Sequence, residues 1–174
     1  MLEAMSRASF ARVMLGLNGG TADRLVVMTG CELARAYKAE LVAVHVLEVD
    51  WRHDLSEVVP GSTERASAIL DLAEAAAERS RISLQTELLQ ARDVGAALVD
   101  EATALGADVI ILGLPFRKKF GGDFAVGHTV PYVLQNAPMT VFVVREPIPS
   151  PTAAGAPGPT RGRTLATPAA SGVG

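Results

Sequence analysis

Short apolar runs that alternate with helix-period segments constrain the fold of this chain most strongly. Five runs rich in apolar or β-branched residues predict strands, at Arg12–Leu17, Glu40–Leu47, Ile82–Leu89, Val109–Leu112 and Thr140–Val144. A helical pattern lies between each pair of successive runs. Strands that alternate with helices pair in parallel through right-handed crossovers. The sequence therefore predicts an α/β fold: a doubly wound open, mainly parallel five-stranded sheet with four helices.

The predicted helices have recognisable starts and stops. The first covers Thr21–Tyr37, where apolar or small residues repeat along one helical face. In the second, Thr63 is a candidate N-cap and the helix runs to Ser80. Asp93 can cap the third helix, which Gly106 ends. The fourth follows a glycine-containing loop.

Composition divides the chain into three parts. Residues 1–11 form an N-terminal extension and residues 12–146 form the α/β domain. From residue 147 to residue 174 the chain is rich in Pro, Gly, Ala, Ser and Thr and has few large apolar side chains. Such a segment cannot bury enough apolar surface to offset the entropy of ordering, so we predict a disordered tail.

Net charge and cysteine content indicate which cellular compartment and which binding partners to expect. The net charge is -3, which argues against nucleic acid as the main partner. The only cysteine is Cys31, so no intramolecular disulfide can form, and a cytoplasmic location is expected. No run approaches the roughly 20 apolar residues that a membrane helix needs, so we expect no direct membrane insertion.

The segment from Val109 to Val144 carries the main functional signal. A predicted strand ends at Gly113, a basic stretch at Arg117–Lys119 follows, and Gly127-His128-Thr129 opens a helical pattern. A strand, a glycine loop and a helix N-terminus are a common phosphate-binding arrangement. Backbone N–H groups and the positive end of the helix dipole converge there on the anion. The segment indicates a nucleotide-binding module.

Each part of this signal also has a structural explanation. Gly113 could serve only as a turn after the strand. Thr129 could act only as a helix cap, because capping and phosphate binding use the same unpaired N–H groups. The basic residues Arg117–Lys119 could form only a solvated surface. These alternatives stay open at the level of sequence.

The sequence does not group the residues of a catalytic site. A Ser or Cys nucleophile with a His and an orienting carboxylate is not apparent, nor are the glycine signatures of dehydrogenases and P-loop proteins. His45 lies in an apolar run and is expected to be a core histidine. His53 lies in a loop without metal-ligand spacing. We therefore expect no enzyme, although slow ATP hydrolysis would be compatible with nucleotide binding.

Three stretches resemble the universal stress protein family over about Arg12 to Arg145. RVMLGLNGG is similar to the first strand of that family and its turn, and KAELVAVHVLE resembles the second strand. GADVIILG followed by GHTVPYVLQNAPMTVFVV is similar to the fourth strand, last helix and last strand. The resemblance implies an adenine nucleotide alpha-hydrolase-like fold. It also implies a dimer joined through the last strand, here Thr140–Val144.

The resemblance further implies an adenine nucleotide site with a variant glycine loop. The nucleotide-binding branch of the family carries Gly, two residues, Gly, nine residues, Gly, then Ser or Thr. Here Gly113 fits the first position, Phe116 stands at the second, and Gly127 lies one residue later than the pattern. Asn18 replaces the acidic residue of the first strand. The expected binding residues are Gly16, Asn18, Val46, Leu112, Gly113, Arg117, Gly127, His128 and Thr129.

Two functions from different classes remain. The first is a regulatory module that binds ATP, AMP or a cyclic adenine dinucleotide, with or without Mg²⁺, and signals through a partner surface. The alternative is a nucleotide-free dimer that contacts a partner protein directly. Because the basic loop resembles that of stress-protein domains associated with membrane transporters, a transporter is an expected partner class.

Overall fold

The computed structural model describes residues 9–51, 61–114 and 126–147. All but the first residue of the predicted tail, most of the predicted N-terminal extension and the basic stretch Arg117–Lys119 lie outside these residues. Nine elements alternate along the chain: β1 (Arg12–Leu17), α1 (Asp23–Tyr37), β2 (Glu40–Glu48), α2 (Ser62–Arg79), β3 (Gln85–Ala91), α3 (Val94–Ala104), β4 (Val109–Leu114), α4 (Thr129–Asn136) and β5 (Thr140–Arg145).

The five strands form one parallel sheet in the order β3-β2-β1-β4-β5. This confirms the predicted fold class. β1 lies at the centre, in register with β2 through Leu17 and His45 and with β4 through Gly16 and Leu112. Among the described elements, no helix is both long and apolar enough to span a bilayer.

Alternate residues of the central strands face two separate cores. Val13 and Leu15 of β1 pack on one face with α1 and α2, and both are fully buried. Met14 packs on the other face with α3 and α4. Burial on both faces explains why β1 and β4 are almost continuously apolar in sequence.

Some element boundaries differ from the sequence prediction. β3 begins at Gln85 rather than Ile82, because pairing with β2 starts only at Gln85 opposite Val42. The proposed N-cap at Thr63 is wrong: the N-cap of α2 is Gly61, with φ +79° and no side-chain capping bond. The Asp93 cap is confirmed, since its carboxylate accepts the Ala96 N–H at 2.9 Å.

The topology fixes where a ligand can approach. β1 and β4 are neighbours, but β1 leads into α1 on one face while β4 leads, through residues 115–125, toward α4 on the other face. In open α/β sheets such a reversal leaves a crevice at the carboxyl ends of the two strands. The loop after β1, the ends of β2 and β4 and the start of α4 therefore share one edge of the sheet, which we call the carboxyl edge.

Candidate nucleotide site at the carboxyl edge

The loop between β1 and α1 is held in one shape by its own side chains. The Asn18 Oδ1 accepts the Gly20 N–H at 2.8 Å. The Asp23 carboxylate accepts the Gly19 N–H at 2.7 Å and the Asn18 N–H at 3.2 Å. Gly19 has φ +78°, a conformation that favours glycine. Because Asn18 uses its oxygen within the loop and is exposed, its amide NH₂ is the part of the side chain that can donate to a ligand.

Asp23 is a site residue that the sequence reasoning missed. Its position in the first turn of α1, five residues after Asn18, was the available signal, because a short acidic side chain there reaches back to the loop amides. Burial raises the pKa of Asp23 from its ordinary value. Hydrogen bonds from Gly19, Asn18 and Gly20 and the nearby His45 oppose that increase.

His45 is a core histidine, as expected. Its side chain is buried, and Nδ1 lies 2.8 Å from the Leu17 carbonyl oxygen. A carbonyl oxygen can only accept, so Nδ1 carries the proton and donates it to Leu17. This bond ties the end of β2 to the end of β1, and it fixes the part of the carboxyl edge from which Asn18 projects.

Three of the predicted binding residues lie below the surface of the crevice. Val46 and Leu112 are 7% and 3% exposed and belong to the core on the α3 and α4 face. A Cβ on Gly16 would lie 2.5 Å from Leu112 Cδ2 and 3.4 Å from Leu98 Cδ1. The glycine at position 16 is therefore required for the packing of β1 against these leucines. Val46 and Leu112 are therefore core residues of the face that α3 and α4 cover.

Gly113 faces the opposite side of the sheet. It lies inside β4, paired with Val144 of β5, rather than in a turn after the strand. A Cβ at this position would lie 2.9 Å from Ala22 Cβ and 3.0 Å from Val26 Cγ2. Packing of the start of α1 against β4 thus accounts for this glycine.

The start of α4 presents free backbone donors at the carboxyl edge. Its N-cap is His128, whose side chain makes no capping bond, so Thr129 is the first helical residue and not the N-cap. Gly127 and His128 are exposed, and a Cβ on Gly127 would have no atom of the described residues within 4 Å. The first backbone bond into the helix joins the Tyr132 N–H to the His128 carbonyl, so the earlier N–H groups have no intrahelical acceptor.

The described part of the edge therefore holds an amide donor from Asn18 and a helix start whose first N–H groups have no intrahelical acceptor. Arg117, the remaining predicted binding residue, lies outside the described residues. Within the ranges that the structure describes, no group of three or more His, Cys, Asp or Glu side chains is placed to hold a metal ion. The arrangement suits an anion attached to a flat, partly apolar group.

Solved structures share this architecture. A universal stress protein in complex with cAMP matches with a TM-score of 0.60 at 19% identity, covering 78% of this chain and 97% of that chain. A universal stress protein from Archaeoglobus fulgidus in complex with dAMP matches at 0.62 and 18%, covering 78% and 98%. A universal stress family protein from Arabidopsis thaliana with AMP bound matches at 0.57 and 10%, covering 79% and 92%.

The sequence comparison agrees with the structural one. No curated protein matches this sequence. Residues 9–145 match the family model described as the universal stress protein family. That range contains every described helix and strand and the whole of the candidate site. The chain belongs to the universal stress protein family.

Proposed function

We propose that this protein is a regulatory module, rather than an enzyme, that binds an adenine nucleotide at the carboxyl edge of its sheet. The observation that carries the proposal is the uncapped start of α4 beside the open space at Gly127. Backbone N–H groups without acceptors at a helix N-terminus favour a phosphate. A side chain at position 127 would occupy the space into which that phosphate fits.

The remaining residues give the nucleotide an orientation. With the phosphate at His128 and Thr129, the sugar and base extend along the edge toward Asn18. Val46 and Leu112 would underlie the base, and the Asn18 amide would donate to an acceptor on the base or ribose. Arg117 would add positive charge on the phosphate side. A Mg²⁺ ion bound by the phosphates is compatible with this placement.

The complexes of related proteins support the choice of ligand. cAMP, dAMP and AMP are the ligands of three proteins that share this fold. All three combine adenine with one phosphate group. Because their sequence identity to this chain is low, the assignment of an adenine nucleotide to this chain is a proposal. The geometry at Gly127 and Asn18 is the reason for placing the nucleotide at this edge.

The first test is the release of a ligand from the purified protein. The full chain is purified without added nucleotide and denatured, and the supernatant is analysed by mass spectrometry. Emptied and refolded protein is then titrated with AMP, ATP, cAMP and a cyclic adenine dinucleotide. A ligand that binds only the native state raises the melting temperature in proportion to its occupancy. No co-purified nucleotide and no thermal response to any of the four would contradict the proposal.

The Gly127→Val variant tests the location of the site. It adds a side chain into open space, so the fold should remain intact while the phosphate is excluded. We expect at least about tenfold weaker nucleotide binding with an unchanged urea midpoint. The matched control is Leu134→Val, on α4 itself and 56% exposed, which should change neither quantity. Equal nucleotide affinity in Gly127→Val and wild type would move the site elsewhere.

The nucleotide-free dimer is the second candidate, and the position of β5 favours a dimer in either case. β5 is an edge strand, and its apolar Val143 is 36% exposed. Exposed apolar edges are normally paired or covered. A Val143→Lys variant should convert a dimer to a monomer in light scattering. A membrane transporter is the partner class that we propose for the module, with the cytoplasm as its location.

A further inference from the structure

A groove of about 510 Å³ runs between α1 and α2, on the face of the sheet opposite α4. This volume falls within the range of about 300–1,000 Å³ that small-molecule sites occupy. The buried side chains of Leu17, Val27 and Ala73 lie at its base. The loop Gly19–Thr21 borders the groove where α1 begins.

Small residues on α2 create the gap between the two helices. Ala73 and Ala76 line the groove from α2, and their short side chains do not fill the space between α2 and α1. Larger apolar side chains stand on both walls: Met28 on α1 is 46% exposed and Leu72 on α2 is 72% exposed. Solvent-exposed apolar side chains that border a concave surface are typical of a binding site.

The charged side chains that line the groove differ in whether they are free to bind a ligand. Arg24 of α1 and Arg79 of α2 both line the groove, and within the described ranges neither guanidinium has an acceptor or an ion-pair partner. The third charged residue, Asp23, has its carboxylate engaged with the loop amides of Gly19 and Asn18. An apolar base with two free cations at its borders is complementary to a molecule with an apolar chain and an anionic head.

We propose that the groove between α1 and α2 binds a single-chain amphiphile with an anionic head group, of which a medium-chain carboxylate is the simplest representative. The apolar chain lies along Val27, Ala73 and Ala76, where it covers Met28 and Leu72. The guanidinium of Arg24 or Arg79 holds the head. The groove lies on the face of the sheet that α1 and α2 cover, whereas the proposed nucleotide site lies at the carboxyl edge, and the loop after β1 borders both.

The test measures binding of dodecanoate to the full chain by isothermal titration calorimetry, below the micelle concentration. Dodecyltrimethylammonium, which has the same chain length and the opposite charge, is the matched control ligand. We expect saturable binding of one dodecanoate per chain and at least about tenfold weaker binding of the cation. Absence of saturable binding, or equal affinity for the two amphiphiles, would overturn the proposal.

Variants place the ligand in the groove. Arg24→Gln with Arg79→Gln should weaken dodecanoate binding by about tenfold or more, and the single variants show which arginine holds the head. Ala76→Leu should fill the groove with a larger side chain and therefore weaken dodecanoate binding. Leu72→Gln is a second test of the surface that binds the alkyl chain and should also weaken dodecanoate binding. Leu72 is exposed, so its replacement should leave the fold intact. Leu134→Gln, on the opposite face, is the control. Dodecanoate affinity that is unchanged in Leu72→Gln and in the double arginine variant would overturn the assignment.

Discussion

Gly113 fits the glycine pattern of the nucleotide-binding branch and Gly127 lies one residue later than its last glycine, and the two positions have different surroundings in the structure. A methyl group on Gly113 would meet Ala22 Cβ at 2.9 Å and Val26 Cγ2 at 3.0 Å, while one on Gly127 would meet no atom within 4 Å in the part of the chain that the structure describes. Ordinary contacts between carbon atoms are about 3.5–4.0 Å. The pair of variants Gly113→Ala and Gly127→Ala therefore separates packing from ligand binding with one identical chemical change.

The size of the Gly113 effect follows from these distances. To accept the methyl group, the start of α1 must move away from β4 by roughly half an ångström or more. Overpacking of this kind costs about 1–3 kcal/mol. The reduced freedom of the unfolded chain returns about 0.4–1 kcal/mol. We expect a net loss of about 1–2 kcal/mol for Gly113→Ala, which lowers the melting temperature by about 3–8 °C in a domain of this size.

Gly127→Ala should change the free energy of unfolding by no more than about 0.5 kcal/mol. Urea unfolding, followed by circular dichroism on ligand-free protein, measures both variants under the same conditions. Each variant is also titrated with AMP to compare nucleotide affinity at equal folded fraction. Equal stability of the two variants would refute the reasoning from contacts. A folded Gly113→Ala protein with wild-type stability and lost AMP binding would return Gly113 to the phosphate site.

Three further substitutions test features of the fold by urea unfolding. Asp93→Ala removes the cap of α3 and should cost about 1 kcal/mol, and a loss below about 0.3 kcal/mol would show that the cap is redundant. Burial, and then the hydrogen bond and charge of Glu87, raise the pKa of Glu101 above 4.5. Such a group favours the fold below its unfolded pKa and loses that contribution as pH rises through its folded pKa. Glu101→Gln should therefore be more stable than wild type at neutral pH, by roughly 0.3 kcal/mol at this half-buried, solvent-screened position, but not at about pH 4. The same sign holds for Asp23, whose pKa burial raises above 3.8. The stability of wild type relative to Asp23→Asn should therefore fall as pH rises from about 3.5 to 7, and a difference independent of pH would contradict that direction.

The fold was predictable from sequence because periodicity reports burial. β1, β2 and β4 are apolar along most of their length since both faces of the sheet are covered, and the helices carry one apolar face each. The strand boundary that the sequence predicted wrongly, the start of β3, is set by pairing with the neighbouring strand. The apolar residues Ile82 and Leu84 indicated a strand, but they pack against the core just ahead of Gln85, where pairing with β2 begins.

The candidate site was predictable only in part. The start of α4 is visible in the sequence, because Gly127-His128-Thr129 precedes a helical pattern. The position of Asp23 in the first turn of α1 is only a weak signal, since its bonds to Gly19 and Asn18 depend on how the loop folds back. The groove between α1 and α2 is also hidden in sequence. Its alanines look like ordinary helix formers until the neighbouring helix is in place.

A match to a family pattern has a different meaning at each position of the pattern. A side chain at Gly16 or Gly113 would press on Leu112 or on α1, so packing already accounts for these two glycines and their agreement with the family supports the fold rather than a ligand. Asn18 and Gly127 are exposed and lack a packing reason of that kind. The evidence for a nucleotide in this chain therefore rests on those two positions and on the free N–H groups that follow Gly127. Substitutions at these positions, rather than at the buried glycines, decide whether the protein senses a nucleotide.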